Sequence, residues 1–526
     1  MKTRNSTIQK ILQNFKGKGK QTKQENDSSR SKKPYSKKLK DNEKWLREKL
    51  GESQDVVFTS FKIKDAEGKE VKALLIAIDG LVDEEAKRDH ILKPLIEPPQ
   101  RDHPIKHIEQ IKEHISAKEV TIENDLEKSV FELLKSKALL VVDGFNQGLL
   151  VGIEGFEIRA IKQPETEQSV RGPKEGFIES ISVNLSLLRR KIHHPDLRFD
   201  TTELGEYSNL GVIVSYVKDI ADPELVKRVK DRIKQIKVDT IESSGEIEQM
   251  IEDHPYSIFS TIGNTERPDV AARFLLEGKI MILIDGDPTA LFVPSMFVEN
   301  FKNVEDYYSR PYYSSFIRLL RFFSFLVSIS LPALYITALN FNRALIPSDI
   351  IVPLIQARES VPFPLAMEMI MMILMFEVVR EAGVRLPQQI GTAISIVGPL
   401  ILGDVAVTSG LVGAPTVVIV SISYIAAFLI TPIADVTSLL RVYLFFASSI
   451  FGSFGLCMAL LGLLTHMVSL SSLGVPYMAP FSPLHYKDWK DAIIRFPTKL
   501  MWRRSRSIPN RRDRKIWSLP ETSGKK

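Results

Sequence analysis

The distribution of charge along the chain limits its fold more than any other feature. Residues 1–310 are charged throughout, residues 322–470 are almost free of charge, and the segment after residue 486 is basic again. An apolar run of about twenty residues can cross a hydrocarbon core about 30 Å thick. Residues 322–341, 363–379, 414–432 and 442–470 meet that length or come close. A fifth run, 390–410, is long enough but is interrupted by Gly398-Pro399, Gly403 and Asp404. The pattern predicts an α-helical polytopic membrane domain over residues 311–485, with four spans plus a broken or re-entrant segment. Irregular backbone at membrane depth survives only where protein or water satisfies it, so the broken segment should lie buried or beside a pore. Arg310, Arg318 and Arg321 precede the first run and a basic segment follows the last, which places both termini in the cytoplasm. That requires an even count of crossings. A bend in 442–470 near Gly452 and Gly455 is the other route to an even count, but twenty-nine residues are too few for two full crossings.

At 526 residues the chain should hold about two or three domains. Between residues 46 and 300, short β-like runs alternate with helical patterns, as in an α/β or α+β fold. ALLIAID (73–79), ALLVVDG (138–144), GVIVSYV (211–217) and KIMILIDG (279–286) are strand candidates. A helix should follow Asp222-Pro223, a cap residue and a first-turn proline, because Leu225, Val226, Val229, Ile233 and Ile236 share a stripe. LLKSKALLVVDGFNQGLLV (133–151) aligns without gaps on LLEGKIMILIDGDPTALFV (275–293). A duplicated cytoplasmic module, 46–165 and 166–310, would explain the repeat, although strand–Asp-Gly–strand is also a common hairpin signal.

Residues 1–45 have the composition of a disordered basic arm, and residues 486–526 that of a basic cytoplasmic tail. The first forty residues hold thirteen Lys/Arg against two Asp/Glu, and the last forty thirteen against four. Such ends can bind nucleic acid. Beside membrane spans they argue instead for cytoplasmic retention and contact with anionic lipid, with no nucleic-acid partner. The single cysteine, Cys457, lies in an apolar run and reads as a small core residue. It allows no intramolecular disulfide, and the first residues carry no apolar signal core.

Enzyme signatures are missing: G-x-x-x-x-G-K-[ST], H-E-x-x-H and G-x-S-x-G do not occur. IHHPD (192–196) and DGDPT (285–289) read as loop and turn. No catalytic residue, metal site or cofactor is expected. The acids inside apolar runs are more informative. Glu368 and Glu377 are nine residues apart, so at about 100° per residue they face opposite sides of a helix. Glu377 precedes Arg380 by three residues, with Arg385 nearby, and reads as an interface ion pair. Glu368 has no basic residue within four positions. It should face the protein interior as a hydrogen-bonded acid, a water-filled cavity, or a symmetry-related chain. In a homo-oligomer such an acid makes a carboxylate ring that favours cations. Met371, Met372 and Met375 on the same face could close that pore by dewetting, although two packed helices would show the same stripe. Asp404 is placed like the acid of a broken-helix ion site, or as a local cap. Pro362, Phe363 and Pro364 mark the helix start, since proline removes backbone donors.

VRGPKEGFIESISVNLSLLRRKI (170–192), VPFP (361–364), FEVVREAGVRLPQQIG (376–391) and GPLILGDVAVTSGLVGAPTVVIV (398–420) resemble the A-subunit family of bacterial spore germinant receptors, the GerA type. The resemblance covers residues 45–485 and leaves out the basic arm and the tail. It implies a subunit of an inner-membrane complex of dormant spores, with a transporter-like B subunit that binds the nutrient and a lipoprotein C subunit. It also implies assembly into a ring that passes monovalent cations when nutrient is sensed. A sister type in the same family is implied to amplify ion release. On this basis residues 361–380 line the conduction path, Glu368 attracts cations, and the methionines form the closed gate. Arg171, Lys174, Arg189, Arg190 and Lys191 would pair with acids of a neighbouring chain, or form a solvated basic face. Two other classes compete with the channel. A secondary transporter is suggested by Asp404 but opposed by the lack of a clear inverted repeat. A non-conducting scaffold is the third class.

Overall fold

The computed structural model describes residues 32–51, 53–64, 70–96, 106–155, 163–164, 167, 171–386, 398 and 401–515. The chain divides into two units, Met1–Gly51 with Val56–Phe156, and Glu52–Asp55 with Glu157–Lys526.

In the first unit α1 (Leu39–Leu50) leads into β1 (Val56–Lys64) and β2 (Glu70–Ile78), followed by β3 (Glu119–Glu123), α2 (Leu126–Leu133), β4 (Lys137–Val142) and β5 (Gly148–Gly152). The strands form one antiparallel sheet in the order β1-β2-β4-β5-β3. Side-chain alternation sends Leu74, Ile76 and Ile78 to the face under α1 and α2, and Ala73, Leu75 and Ala77 to the opposite face. Both faces are covered, which is why ALLIAI is continuously apolar. Residues 32–45 are not a free arm. Tyr35 is buried and donates its hydroxyl to Ser129 Oγ (2.6 Å), and Leu39, Leu46 and Leu50 put one stripe of α1 into the core. Lysine-rich composition masked that stripe. Residues 1–31, the rest of the expected arm, lie outside the described residues.

The second unit opens with α3 (Ile181–Lys191), β6 (Leu197–Leu204), β7 (Leu210–Val217), α4 (Pro223–Gln235), α5 (Ser244–Ile251), β8 (Gly263–Thr265), α6 (Pro268–Glu277), β9 (Ile280–Ile284) and β10 (Ala290–Val293). Its sheet order, β6-β7-β9-β10-β8, matches that of the first. Helices α3 and α6 cover one face, and α4 and α5 the other. Asp222 caps α4 by accepting from Glu224 N, and Leu225, Val226, Val229 and Ile233 are buried.

The two sheets repeat in their polar details as well. Asp143 Oδ1 accepts from Leu39 N (2.8 Å), and Asp285 Oδ1 accepts from Ile181 N (3.3 Å). Gly144 N donates to Lys37 O and Gly286 N to Glu179 O, both at 2.8 Å. Asn42 spans the backbone N–H and carbonyl of Ser36, as Asn184 spans those of Ile178. Each Asp-Gly turn thus holds the start of its unit's first helix, where an acid also suits the positive helix end.

Four longer apolar helices follow among the described residues: α7 (Pro311–Ile336), α8 (Leu365–Arg385), α9 (Ala414–Ala427) and α10 (Ala434–Ser469). Among the described residues two stretches, Pro311–Phe341 and Thr431–Ser469, are long and apolar enough to cross a membrane. Helix α8 has 21 residues but carries Glu368, Glu377, Arg380, Glu381 and Arg385, and α9 has 14 residues. Residues 387–397 and Pro399 lie outside the described residues, so the expected break at Gly398-Pro399 is described only at Gly398. Helix α10 is kinked rather than straight. Gly452 has φ 61° and ψ −141°, and a Cβ there would lie 2.7 Å from the Phe341 ring. Beyond the kink Phe454, Met458 and Leu461 are exposed, and Cys457 shares their outward side. Cys457 is therefore not a core residue. In an all-apolar run periodicity could not tell the inner face from the outer.

Gly452→Ala should destabilise the protein by more than about 1 kcal/mol, because left-handed backbone and a ring contact are both violated. Thermal unfolding in detergent, set against exposed Gly462→Ala, measures it; equal losses would contradict the kink.

Candidate functional site: charges enclosed by apolar helices

A proline at position i cannot donate to the carbonyl at i−4. Pro332 lies inside α7, so the Ser328 carbonyl lacks its helical partner. Arg441 Nε (3.0 Å) and the Ser423 hydroxyl (2.6 Å) donate to that carbonyl instead. Arg441, in α10, is fully buried. Its Nε also reaches Ser423 Oγ (2.9 Å), its Nη2 reaches Ser328 Oγ (3.0 Å), and its guanidinium lies 3.9 Å from the centre of the Tyr424 ring. Tyr424 in turn donates its hydroxyl to Ile373 O (2.9 Å). Glu377 completes the group, with Oε1 3.6 Å from Arg441 Nη1 and Oε2 2.9 Å from Arg380 Nε. Arg380 also faces Asp435 at 3.6 Å. One guanidinium thus connects α7, α8, α9 and α10.

A second charge sits at the start of α8. Glu368 is fully buried, and both its oxygens are occupied. Oε1 accepts from Arg358 Nε (3.0 Å) and Nη2 (2.6 Å). Oε2 accepts from Gly413 N (3.0 Å) and the Thr416 hydroxyl (3.1 Å), at the N-terminus of α9. A carboxylate is stabilised there by the helix dipole and by charge-assisted bonds. Close approach needs a glycine, since a Cβ on Gly413 would lie 2.7 Å from Arg358 Cγ. Arg358 is ten residues from Glu368, beyond the window in which a helical partner would be sought. The acid has a counter-charge after all, supplied by the loop before α8.

The other sequence-predicted residues are scattered. Met372 is buried beside Glu368, while Met371 and Met375 are half-buried and Pro362, Phe363 and Pro364 are exposed. Asp404 is exposed in the helical turn after the undescribed stretch and makes no ion pair among the described residues. Glu377 and Arg380 pair, whereas Arg385 binds Glu381 (2.7 Å). In the second unit Arg189 is buried and forms a two-pronged pair with Asp55 (2.8 and 3.0 Å), so it cannot reach a neighbouring chain. Lys191 and Arg190 face Glu175 at 2.7 and 3.6 Å. Arg171 and Lys174 are exposed. Sequence reasoning missed Arg441 and Arg358. The signals were a lone arginine in an apolar run, and a proline four residues after a serine in another.

The family model described as the Bacillus/Clostridium GerA spore germination protein matches residues 44–507. The chain belongs to the GerA family of spore germination proteins. Among GerA-family relatives, Spore germination protein KA of Bacillus subtilis (strain 168) is 39% identical over 86% of this chain and 83% of its own length. Spore germination protein B1 of the same strain is 35% identical over 90% of this chain and 97% of its own. The Uncharacterized membrane protein YfkQ, also of that strain, is 37% identical over 90% and 91%. A crystal structure of the N-terminal domain of the A subunit of the Bacillus megaterium spore germinant receptor GerK3 covers 51% of this chain and 99% of its own, at 33% identity and a TM-score of 0.41.

Removing one member of a buried ion pair costs about 3–5 kcal/mol, because the other is left uncompensated. Arg358→Met should therefore lower stability by about that much, and Arg358→Met/Glu368→Met should recover at least about 1 kcal/mol of it. Unfolding of the single and double variants in detergent gives the coupling; strictly additive losses would show that the two side chains do not act as a pair.

Proposed function

We propose that this GerA-family protein is the A subunit of a nutrient germinant receptor in the spore inner membrane. In this proposal it is multi-pass with four spans and a broken segment, and both termini face the cytoplasm. Copies assemble into a ring that passes monovalent cations when nutrient is sensed, beside a transporter-like B subunit and a lipoprotein C subunit. The observation that carries the reading is the placement of acids within apolar helices of a spore-germination family member. In the resting subunit Arg358 holds Glu368, so the carboxylate is closed to ions. Opening would separate that pair and present Glu368 to the path, with Met371, Met372 and Met375 moving away from it. Asp404, exposed and unpaired among the described residues, would face the water-filled side of the ring.

Nutrient-triggered K⁺ release from spores tests this reading. Asp404→Asn and Glu368→Gln should each slow release by about tenfold or more, the effect of losing about 1.4 kcal/mol of cation attraction, with the protein still present in the spore membrane. Wild-type release in both would remove these acids from the conduction path.

A further inference from the structure

Residues 487–515, after the last apolar helix, do not run free. Arg504 is buried against the end of α6, donating to Leu276 O (2.7 Å), Arg512 O (2.8 Å) and Arg514 O (2.9 Å). Arg511 N bonds Ile220 O (2.9 Å), and Arg512 pairs with Asp219 (2.7 Å). Where this returning segment meets the second unit's sheet domain it lines a half-open cavity of about 220 Å³. Residues 487–515 form one wall, and α6, the start of β9 and the approach to α7 form the other.

Nine Lys or Arg and five Asp or Glu line the cavity, a surplus of four positive charges. Four of the acids are already engaged. Glu277 pairs with Lys515, and Glu299 with Lys279. Asp491 accepts from the Tyr307 hydroxyl (2.6 Å) and faces Arg318 (3.2 Å). Asp488 accepts from the Ser505 (2.9 Å) and Ser507 (2.7 Å) hydroxyls. By contrast Lys302, Lys490, Arg503 and Arg506 line the cavity without an ion pair among the described residues. Lys279 is enclosed between the Phe274 and Phe292 rings, and burial pushes its ammonium down to about 8 despite Glu299. The interior therefore favours an added negative charge.

We propose that this cavity binds a phosphate group, carried either by an anionic lipid headgroup or by a soluble phosphate ester. Guanidinium forks such as those of Arg503 and Arg506 match the spacing of phosphate oxygens, and lysines add point charge. The position suits a headgroup. Arg318, near the start of the first apolar helix, donates to the carbonyls of Asp491 (2.9 Å) and Ala492 (3.3 Å) at the cavity's edge. Tyr312, Tyr486, Trp489 and Trp502 are exposed in the same segments, and such aromatics sit at the membrane–water boundary.

The full chain, purified in detergent, tests the proposal with two probes. One is retention of phosphatidylglycerol over phosphatidylcholine by native mass spectrometry, and the other is titration with glycerol phosphate followed by thermal shift. Saturable binding in either arm is expected and names the source of the phosphate. Lys302→Gln/Arg506→Gln should weaken it about thirtyfold, at about 1 kcal/mol per cation. Lys227→Gln/Lys234→Gln, on the exposed side of α4, should not. Absence of saturable binding in both arms, or equal weakening by the two double variants, would overturn the proposal. Unchanged unfolding temperature without ligand confirms that the cavity variant is folded.

Discussion

A guanidinium sealed among apolar helices must find every acceptor inside the protein, and the carbonyl released at Ser328 supplies Arg441 with one. The same residue type that breaks a helix in water here creates a docking point, because Pro332 removes one donor and leaves one strong acceptor facing the bundle. Ser423 and Tyr424 from α9 then close around the cation, and Glu377 balances its charge. Four helices thus meet at this single group.

Glu368 obeys the same rule with the opposite sign. Its carboxylate is neutralised by Arg358 and by the N-terminus of α9, so the two buried charges sit at different points of one bundle and both engage α9. Both clusters are stable only while the helices keep their mutual positions. A small helix displacement would leave a charge unpaired in an apolar medium, which costs several kcal/mol. Packed elements of this kind switch between discrete arrangements rather than deform continuously.

Much of this was legible from residue order. Apolar runs located α7, α8, α9 and α10, Asp222-Pro223 marked α4, and the alignment of 133–151 on 275–293 marked the matching halves of two sheets. The repeat extends further upstream than composition suggested, since Asn42 and Asn184 make the same pair of backbone bonds. Lysines around α1 concealed it. The partners of the buried charges were harder to find. Arg358 lies in a loop and Arg441 on a different helix from the acid it faces, so local spacing had no access to either. Arg189 misled for the converse reason: its basic neighbours suggested a surface, but Asp55 draws it inward. The arginines of the tail look solvated as a string of letters, yet Arg495 and Arg504 spend their donors on backbone carbonyls.

The idea that a proline-released carbonyl anchors the buried arginine is most directly tested by one stability comparison. Pro332→Ala restores a helical donor for the Ser328 carbonyl, which has two donors in the wild type but only the Ser423 hydroxyl in an Arg441→Met variant. The unfolding midpoint should therefore rise by more when Pro332→Ala is introduced into Arg441→Met than when it is introduced into the wild type. An identical change in the two backgrounds would mean that Arg441 and the Ser328 carbonyl are not coupled, and the account of the bundle would fail.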